Sequence, residues 1–393
     1  MSKKGYILHL VGALEDYSSI RTDVLALSTG LAKLGIKSKI VTTYPILGGN
    51  TSRELGLKNK VIIKQYKYNL RLTKKYRISF SLMLTGIEGF SEQPIITHVH
   101  GPRSFEALCS LLLRKILKYP LAISTYGAIP CIGNLAMRLV KKTQDNLVLK
   151  NLLKSANIIL AETIFEKNII LENYNVEEDS IYIIYEKAEN IFFKTNIHPS
   201  KNNEIEILFV GRITPIKGLH TLVKAFKIVL DNMSRKESQK VKLIIIGPIE
   251  DPKYWRKILY FAKRTGIYRN IKYLGVIRHV NLPEYYARAY VTVLPSIYEN
   301  IGGVIMEAMA VGCPVIASRT GGIPEIVDHM TTGLLFERGD KEDLAEKLLY
   351  VMKRSSLRAQ MAKKAKEKAL KVFTVDAYVR RILEAYRKAG VIT

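Results

Sequence analysis

The residues best suited to chemistry lie in one stretch, Pro295-Ser296-Ile297-Tyr298-Glu299-Asn300-Ile301-Gly302-Gly303-Val304-Ile305-Met306-Glu307-Ala308-Met309-Ala310. Val291 to Leu294, just before it, is a β-branched apolar run that reads as a fully buried strand. A polar loop, a glycine pair and a run of helix formers follow, which is the anion-receiving corner of an open α/β sheet. Glycine lets a ligand approach the backbone, and the first N–H groups of the helix point at it with the positive end of the dipole. Glu299 and Glu307 bracket the corner. Alone, Glu307 is a carboxylate favoured by the helix dipole and Glu299 a solvated loop residue. Together they are acceptors for the hydroxyls of a ligand whose phosphates rest on Gly302 and Gly303. Phosphates and a polyol in one ligand point to a nucleotide sugar.

The same strand, loop and helix order occurs earlier, in Leu208-Phe209-Val210-Gly211-Arg212-Ile213-Thr214-Pro215-Ile216-Lys217-Gly218. Arg212 and Lys217 would stand at the carboxyl edge of the sheet, where such folds bind ligands. Arginine offers a planar fork to phosphate oxygens and lysine a compact charge, each contact contributing about 1.5–3 kcal/mol. The stretch lacks the Gly-Lys-Ser/Thr ending of a P-loop.

The elements that must position these groups read as two rounds of strand and helix alternation. Tyr6 to Val11, Ser38 to Thr43, Val61 to Tyr66, Ile95 to Val99, Leu121 to Thr125, Asn157 to Ala161 and Ile181 to Ile184 read as strands of the first round, with helical spacing over Ser18 to Leu34 and Phe105 to Leu117. A helix is also expected at Ser79 to Ile87, and a long helical region ending at Leu153. A polar segment from Phe193 to Asn203 reads as a linker. The alternation restarts at Ile205 to Val210 and runs to Gly333 to Phe336, before a helical tail broken near Phe373-Thr374. Strands alternating with helices imply parallel sheets covered on both faces. At 393 residues two domains are expected, 1–195 and 204–372.

Cys109, Cys131 and Cys313 have no metal-ligand spacing and read as buried thiols of a reducing compartment. No cleavable leader is evident at Met-Ser-Lys-Lys-Gly, and no run reaches the roughly 20 apolar residues of a spanning helix. A cytoplasmic protein is expected. The formal net charge of +26 suits a nucleic-acid binder, an anionic-membrane binder or an enzyme of phosphorylated substrates. No helix-turn-helix, zinc-finger or RNA-recognition pattern accompanies it, which makes nucleic acid the weaker option. Two basic groups, Arg71 to Arg77 and Arg114-Lys115 with Lys118, are candidates for peripheral contact with an anionic membrane at its inner surface.

In order and spacing, the segment from about Ile205 to Phe336 resembles the donor half of retaining GT-B glycosyltransferases of family 4. The resemblance rests on Gly211-Arg212 with Lys217-Gly218, Glu299 and Glu307 with seven residues between them, Glu307-Ala308-Met309-Ala310-Val311-Gly312-Cys313-Pro314-Val315, and Gly321-Gly322-Ile323-Pro324-Glu325. It implies an α/β fold of two Rossmann-like domains facing across a cleft, the acceptor in the first and the donor in the second. It implies that Arg212 and Lys217, with Gly211 beside them, hold the donor diphosphate and stabilise charge on the leaving nucleotide. Glu307 would accept from the ribose and Glu299 from the donor sugar, while Gly302, Gly303 and Val304 offer backbone N–H groups. Glu325 belongs to a family motif and could serve packing instead.

In the first half, Thr97-His98-Val99-His100-Gly101 resembles the family's His-x-His segment, which implies a sugar contact for His100. Gly12 matches its first-strand glycine loop. The chain departs from the pattern at Tyr126-Gly127 and at Tyr185-Glu186-Lys187-Ala188. The last helix, about 374–393, would return to the first domain. No cofactor and no metal are implied, the nucleotide-diphosphate sugar being a co-substrate, and no Asp-x-Asp pair is present. The acceptor is a hydroxyl of a carbohydrate, glycolipid or other molecule. Two other functions fit the same residues: a nucleotide-sugar epimerase or hydrolase, and a non-enzymatic basic binding protein.

Overall fold

A computed structural model of the chain describes residues 5–11, 19–42, 60–65, 70–73, 76–78, 94–127, 142–143, 145–197 and 204–392. The expected helix at Ser79 to Ile87 lies outside them, as do Gly12, Cys131 and most of the helical region expected before Leu153. The chain divides into two compact units, 1–185 with 375–393, and 186–374.

The first unit is built on a seven-stranded sheet in the order β3-β2-β1-β6-β7-β8-β9. Its strands are β1 (Tyr6–Val11), β2 (Lys37–Thr42), β3 (Val61–Gln65), β6 (Ile96–His100), β7 (Leu121–Ser124), β8 (Ile158–Ala161) and β9 (Ile181–Ile183). All of their pairings are parallel. A separate antiparallel hairpin joins β4 (Leu70–Thr73) to β5 (Tyr76–Ile78), where the sequence shows the first basic group. The helices are α1 (Ser19–Lys33), α2 (Phe105–Leu117), α3 (Lys150–Ser155) and α4 (Ile164–Tyr174). Ser104 and Thr163 begin two of them by accepting from the backbone N–H of Ala107 and Glu166.

The C-terminal helix, Val375–Lys388, completes this unit. Its Tyr378, Ile382, Leu383 and Tyr386 share one core with Ile7 of β1 and Leu27 and Leu31 of α1. The tyrosine, isoleucine and leucine spacing visible in the tail is the stripe that a 3.6-residue period turns to one side.

The second unit carries a six-stranded parallel sheet in the order β12-β11-β10-β13-β14-β15. The strands are β10 (Ile205–Val210), β11 (Val241–Ile246), β12 (Ile271–Tyr273), β13 (Val291–Leu294), β14 (Val315–Ser318) and β15 (Leu334–Phe336). The helices are α5 (Asn190–Lys194), α6 (Leu219–Asp231), α7 (Arg235–Ser238), α8 (Pro252–Arg264), α9 (Leu282–Arg288), α10 (Gly303–Val311), α11 (Ile323–Ile326), α12 (Lys341–Met352) and α13 (Ser355–Val372). Phe209, Leu222, Phe226 and Leu344 bury the α6 and α12 side of the sheet.

The unit reaches back to Glu186, through the first part of the polar segment from Phe193 to Asn203. The reason is Phe192, fully buried and edge-on to Tyr286 and His279 of the same unit. That buried aromatic anchors α5 in this unit.

Strand order in the second sheet reverses at β10, which has β11 on one side and β13 on the other. A crevice opens at such a switch point, between the loops leaving the two adjacent strands. The loop after β10 carries Arg212 and Lys217, and the loop after β13 carries Glu299. Residues far apart in sequence are thus brought to one edge.

Candidate functional site

The two loops are tied together by backbone. Ile297 N–H donates to Ile216 C=O at 2.8 Å. Gly218 lies so close to Pro295 that a Cβ there would run into its carbonyl. The end of β14 and the turn at Gly321-Gly322 hold the β13 loop from its other side: Gly322 N–H donates to Asn300 C=O at 2.9 Å, Ser318 Oγ to Ser296 C=O at 2.6 Å, and Thr320 Oγ1 to Ile297 C=O at 3.2 Å. That third motif therefore acts by fixing the loop that presents Glu299.

Within this frame Lys217 Nζ forms an ion pair with Glu299, which also accepts from Ser296 Oγ at 3.1 Å. Both side chains are mostly sheltered. Arg212 is turned to the other neighbour, pairing at 3.1 Å with Glu250 on the loop after β11, and remains half exposed. Gly211 follows β10 and donates to Ile246 C=O at 2.9 Å, which keeps the β10 and β11 loops adjacent. The two cations expected to act on one anion are thus both at this sheet edge, each held by a carboxylate.

Gly302 precedes α10 and no side chain caps that helix. A Cβ at Gly302 would stand 2.9 Å from Leu294 Cδ2, so the tight turn leaves no room for one. Gly303 and Val304 are the first residues of α10. A Cβ at Gly303 would stand 3.6 Å from Glu186 Oε2, which places the carboxylate of Tyr185-Glu186-Lys187-Ala188 beside the start of this helix.

Glu307, one turn further along, is held from two directions. His279 Nε2 meets Oε1 and Tyr286 O–H donates to Oε2, each at 2.7 Å. His279 Nδ1 lies 3.7 Å from Glu189. The hydrogen bond to Glu307 raises the His279 pKa above its ordinary value, against a smaller opposing effect of burial. Burial, then the Glu307 charge, push the Tyr286 phenol well above the usual range. Neither His279 nor Tyr286 stood out in the sequence. Tyr286 reads there as one apolar position of α9, and His279 as a lone histidine 28 residues before its partner.

In the first unit His100 ends β6 and is wholly buried. Its Nε2 is 3.0 Å from His9 Nδ1, and its Nδ1 is 2.8 Å from Tyr126 O–H. Both ring nitrogens are therefore occupied within the protein, and the sugar contact implied for His100 is not prepared in this arrangement. Tyr126, where the chain departs from the family pattern, takes one of them. His98 is equally enclosed, between Ser124 Oγ and Tyr386 O–H, both at 2.8 Å. Burial lowers His9 to about 3 and holds His98 and His100 well below the ordinary histidine value, the neighbouring imidazoles adding to the effect.

Among the described residues these three histidines are the group with ligand atoms close enough to share an ion, within 4.8 Å of one another. Their nitrogens are spent on one another and on hydroxyls, apart from His9 Nε2. No helix of the described residues is long and apolar enough to cross a membrane.

Comparison with known proteins agrees with this geometry. Residues 190–368 match the family model described as glycosyl transferases group 1. An uncharacterized glycosyltransferase of Methanocaldococcus jannaschii is 28% identical over 235 residues, covering 57% of this chain and 58% of that protein. A D-inositol 3-phosphate glycosyltransferase of Corynebacterium glutamicum is 25% identical over 396 residues, covering 95% of this chain and 92% of the relative. Among solved structures, Anabaena HepE in complex with UDP superposes with a TM-score of 0.77 at 18% identity, covering 97% of this chain and 99% of that one. At that identity the likeness shows the fold: two parallel-sheet Rossmann-like units of the GT-B kind.

Proposed function

We propose that this chain, whose second unit carries a glycosyl transferases group 1 domain, transfers a sugar from a nucleotide-diphosphate donor to an acceptor hydroxyl with retention of configuration and without a metal. One observation carries the reading: Lys217 and Glu299 meet where β10 and β13 diverge, next to the glycine-opened start of α10. A cation, a carboxylate and the N–H groups of a helix start that no side chain caps, in one crevice, match diphosphate and sugar hydroxyls in one ligand. The UDP held by HepE, a neighbour of the same fold, supports that ligand class.

In this reading Lys217 and Arg212 bind the diphosphate and stabilise the negative charge that grows on it as the anomeric C–O bond breaks. With two protein cations in place the departing diphosphate needs no metal ion. Gly302, Gly303 and Val304 supply backbone N–H groups, Glu299 orients the sugar through its hydroxyls, and Glu307 accepts from the ribose. The acceptor oxygen bonds to the anomeric carbon on the face the diphosphate leaves, and its proton passes to a leaving phosphate oxygen. His100 acts as a buried brace for Tyr126 at the β6 end.

A thermal-shift titration with UDP, GDP and ADP, with and without magnesium, tests the donor site. Ligand at a hundred times its dissociation constant adds about 2.7 kcal/mol to a folded state that alone binds it. A magnesium-independent shift with one nucleotide, lost in Arg212→Ala/Lys217→Ala, is expected. No shift with any of the three would overturn the assignment. NMR of the product's anomeric proton then reads retention directly.

A further inference from the structure

We propose that the outer face of α8 is a docking surface for an anionic lipid bilayer. The run from Pro252 to Pro283 contains eight lysines and arginines and no carboxylate. Within α8, Tyr254, Ile258 and Ala262 face the core. The opposite side presents Lys253, Arg256, Lys257, Lys263 and Arg264, all exposed, around Tyr260. None of the five cations is ion-paired among the described residues. Tyr260 is 66% exposed in the middle of them, and Lys263 lies over the ring of Tyr268, itself 47% exposed. Phenol rings among lysines and arginines are the side chains that settle at a headgroup layer, the cations on phosphates and the rings at the depth of the glycerols.

A second feature favours lipid over a polyphosphate chain. A cavity of about 300 Å³ lies between α6 and α8, walled by Val223, Tyr254, Ile258 and Phe261, with Lys224 and Lys257 also lining it. Hydrocarbon walls beside two ammonium groups fit an amphiphile with an acyl chain and an anionic head. A nucleic acid brings the anions without the chain. Further along the carboxylate-free run, Val276 and Val280 are 70% and 55% exposed. By contrast Arg114, from a basic group that the sequence marks for membranes, donates to Tyr119 C=O at 2.7 Å and to Asn157 Oδ1 at 3.0 Å. The α8 face is independent of the donor chemistry.

The test is co-sedimentation of the full chain with vesicles of phosphatidylcholine alone and of phosphatidylcholine mixed with phosphatidylglycerol, at low and high salt. Wild type binds the mixed vesicles, and added salt weakens the binding. Arg256→Glu/Lys257→Glu/Arg264→Glu weakens it by about tenfold or more. The charge-matched Lys363→Glu/Lys364→Glu/Lys371→Glu on α13 changes it by less than about threefold. Tyr260→Ser lowers the binding that survives at high salt. Equal losses in both triple variants would reduce the effect to net charge and overturn the proposal. So would failure of the wild type to prefer the mixed vesicles, or their displacement by polyuridylate RNA at equal phosphate concentration.

Discussion

Lys217 and Glu299, 82 residues apart in the chain, form an ion pair in which both side chains are about five-sixths buried, 17% and 16% exposed. The pair joins the loop after β10 to the loop after β13 and links the residue proposed for the diphosphate to the one proposed for the sugar. An ammonium has three donors, so Lys217 can keep Glu299 and still reach a phosphate oxygen.

Removing either partner should separate the two roles. Lys217→Ala is expected to weaken nucleoside diphosphate binding about 10- to 100-fold, the scale of one charge-assisted contact. Glu299→Gln removes the charge that competes for Lys217. It should leave affinity for the bare diphosphate unchanged or higher while affinity for the nucleotide sugar falls. Calorimetric titration with both ligands reads the difference, and an equal loss for both in Glu299→Gln would remove Glu299 from the sugar site.

His279 makes a second, pH-dependent contribution. Its folded-state pKa is raised, so the stabilisation is fully present below the unfolded value near 6.5 and is lost as pH rises through the folded value. The ring is more than a third exposed, and solvent screening keeps the effect under about 1 kcal/mol. Denaturant melts of wild type and His279→Gln should therefore converge as the pH rises through the raised folded-state value. Parallel curves from acid to alkaline pH would show that His279 and Glu307 are not coupled.

What the sequence made legible follows from which forces act locally. Ile205–Val210, Val241–Ile246 and Val291–Leu294 are mostly apolar, interrupted only by Glu206, Lys242 and Thr292, because parallel strands are covered on both faces, and each became a strand. The corner at Gly302 was readable because a strand, a tight turn and a helix start leave their own residue types. Partners chosen by folding left no such trace. Nothing near Arg212 announces Glu250, and nothing near Glu307 announces His279. The histidine cluster needed strand register: His9 pairs opposite His98 across β1 and β6, and strand alternation puts His100 on the same face as His98. A pattern read along one strand cannot show what the adjacent strand brings.

That cluster should make the protein acid-sensitive. His9, His98 and His100 are held neutral in the fold, their pKa values lowered chiefly by burial, while in the unfolded chain they protonate near pH 6.5. Stability is complete above that value and declines as pH falls below it, by up to about 1.4 kcal/mol per pH unit for each histidine. His9→Gln should lower stability at neutral pH, since it loses the contact with His100, and should reduce the acid slope by up to one proton. Denaturation midpoints measured across the acid range decide this; an unchanged slope would mean that His9 is already protonated in the folded state.

Gly218 offers the sharpest separation of backbone strain from steric collision. It begins α6 at φ 67°, and a Cβ there would meet the Pro295 carbonyl of the loop that presents Glu299. Gly266 has φ 76° with nothing within 4 Å of the same hypothetical atom. Alanine at Gly266 should cost about 1–2 kcal/mol, the left-handed penalty alone, and leave nucleotide binding intact. Alanine at Gly218 adds displacement of the Pro295 loop, giving a destabilisation of about 2–4 kcal/mol and a loss of diphosphate affinity comparable to Lys217→Ala. Chemical denaturation and nucleotide titration of the two variants side by side test the claim. If Gly218→Ala binds like wild type, contact between the loops does not set the position of Lys217 and Glu299, and the donor site must be organised from the helix side instead.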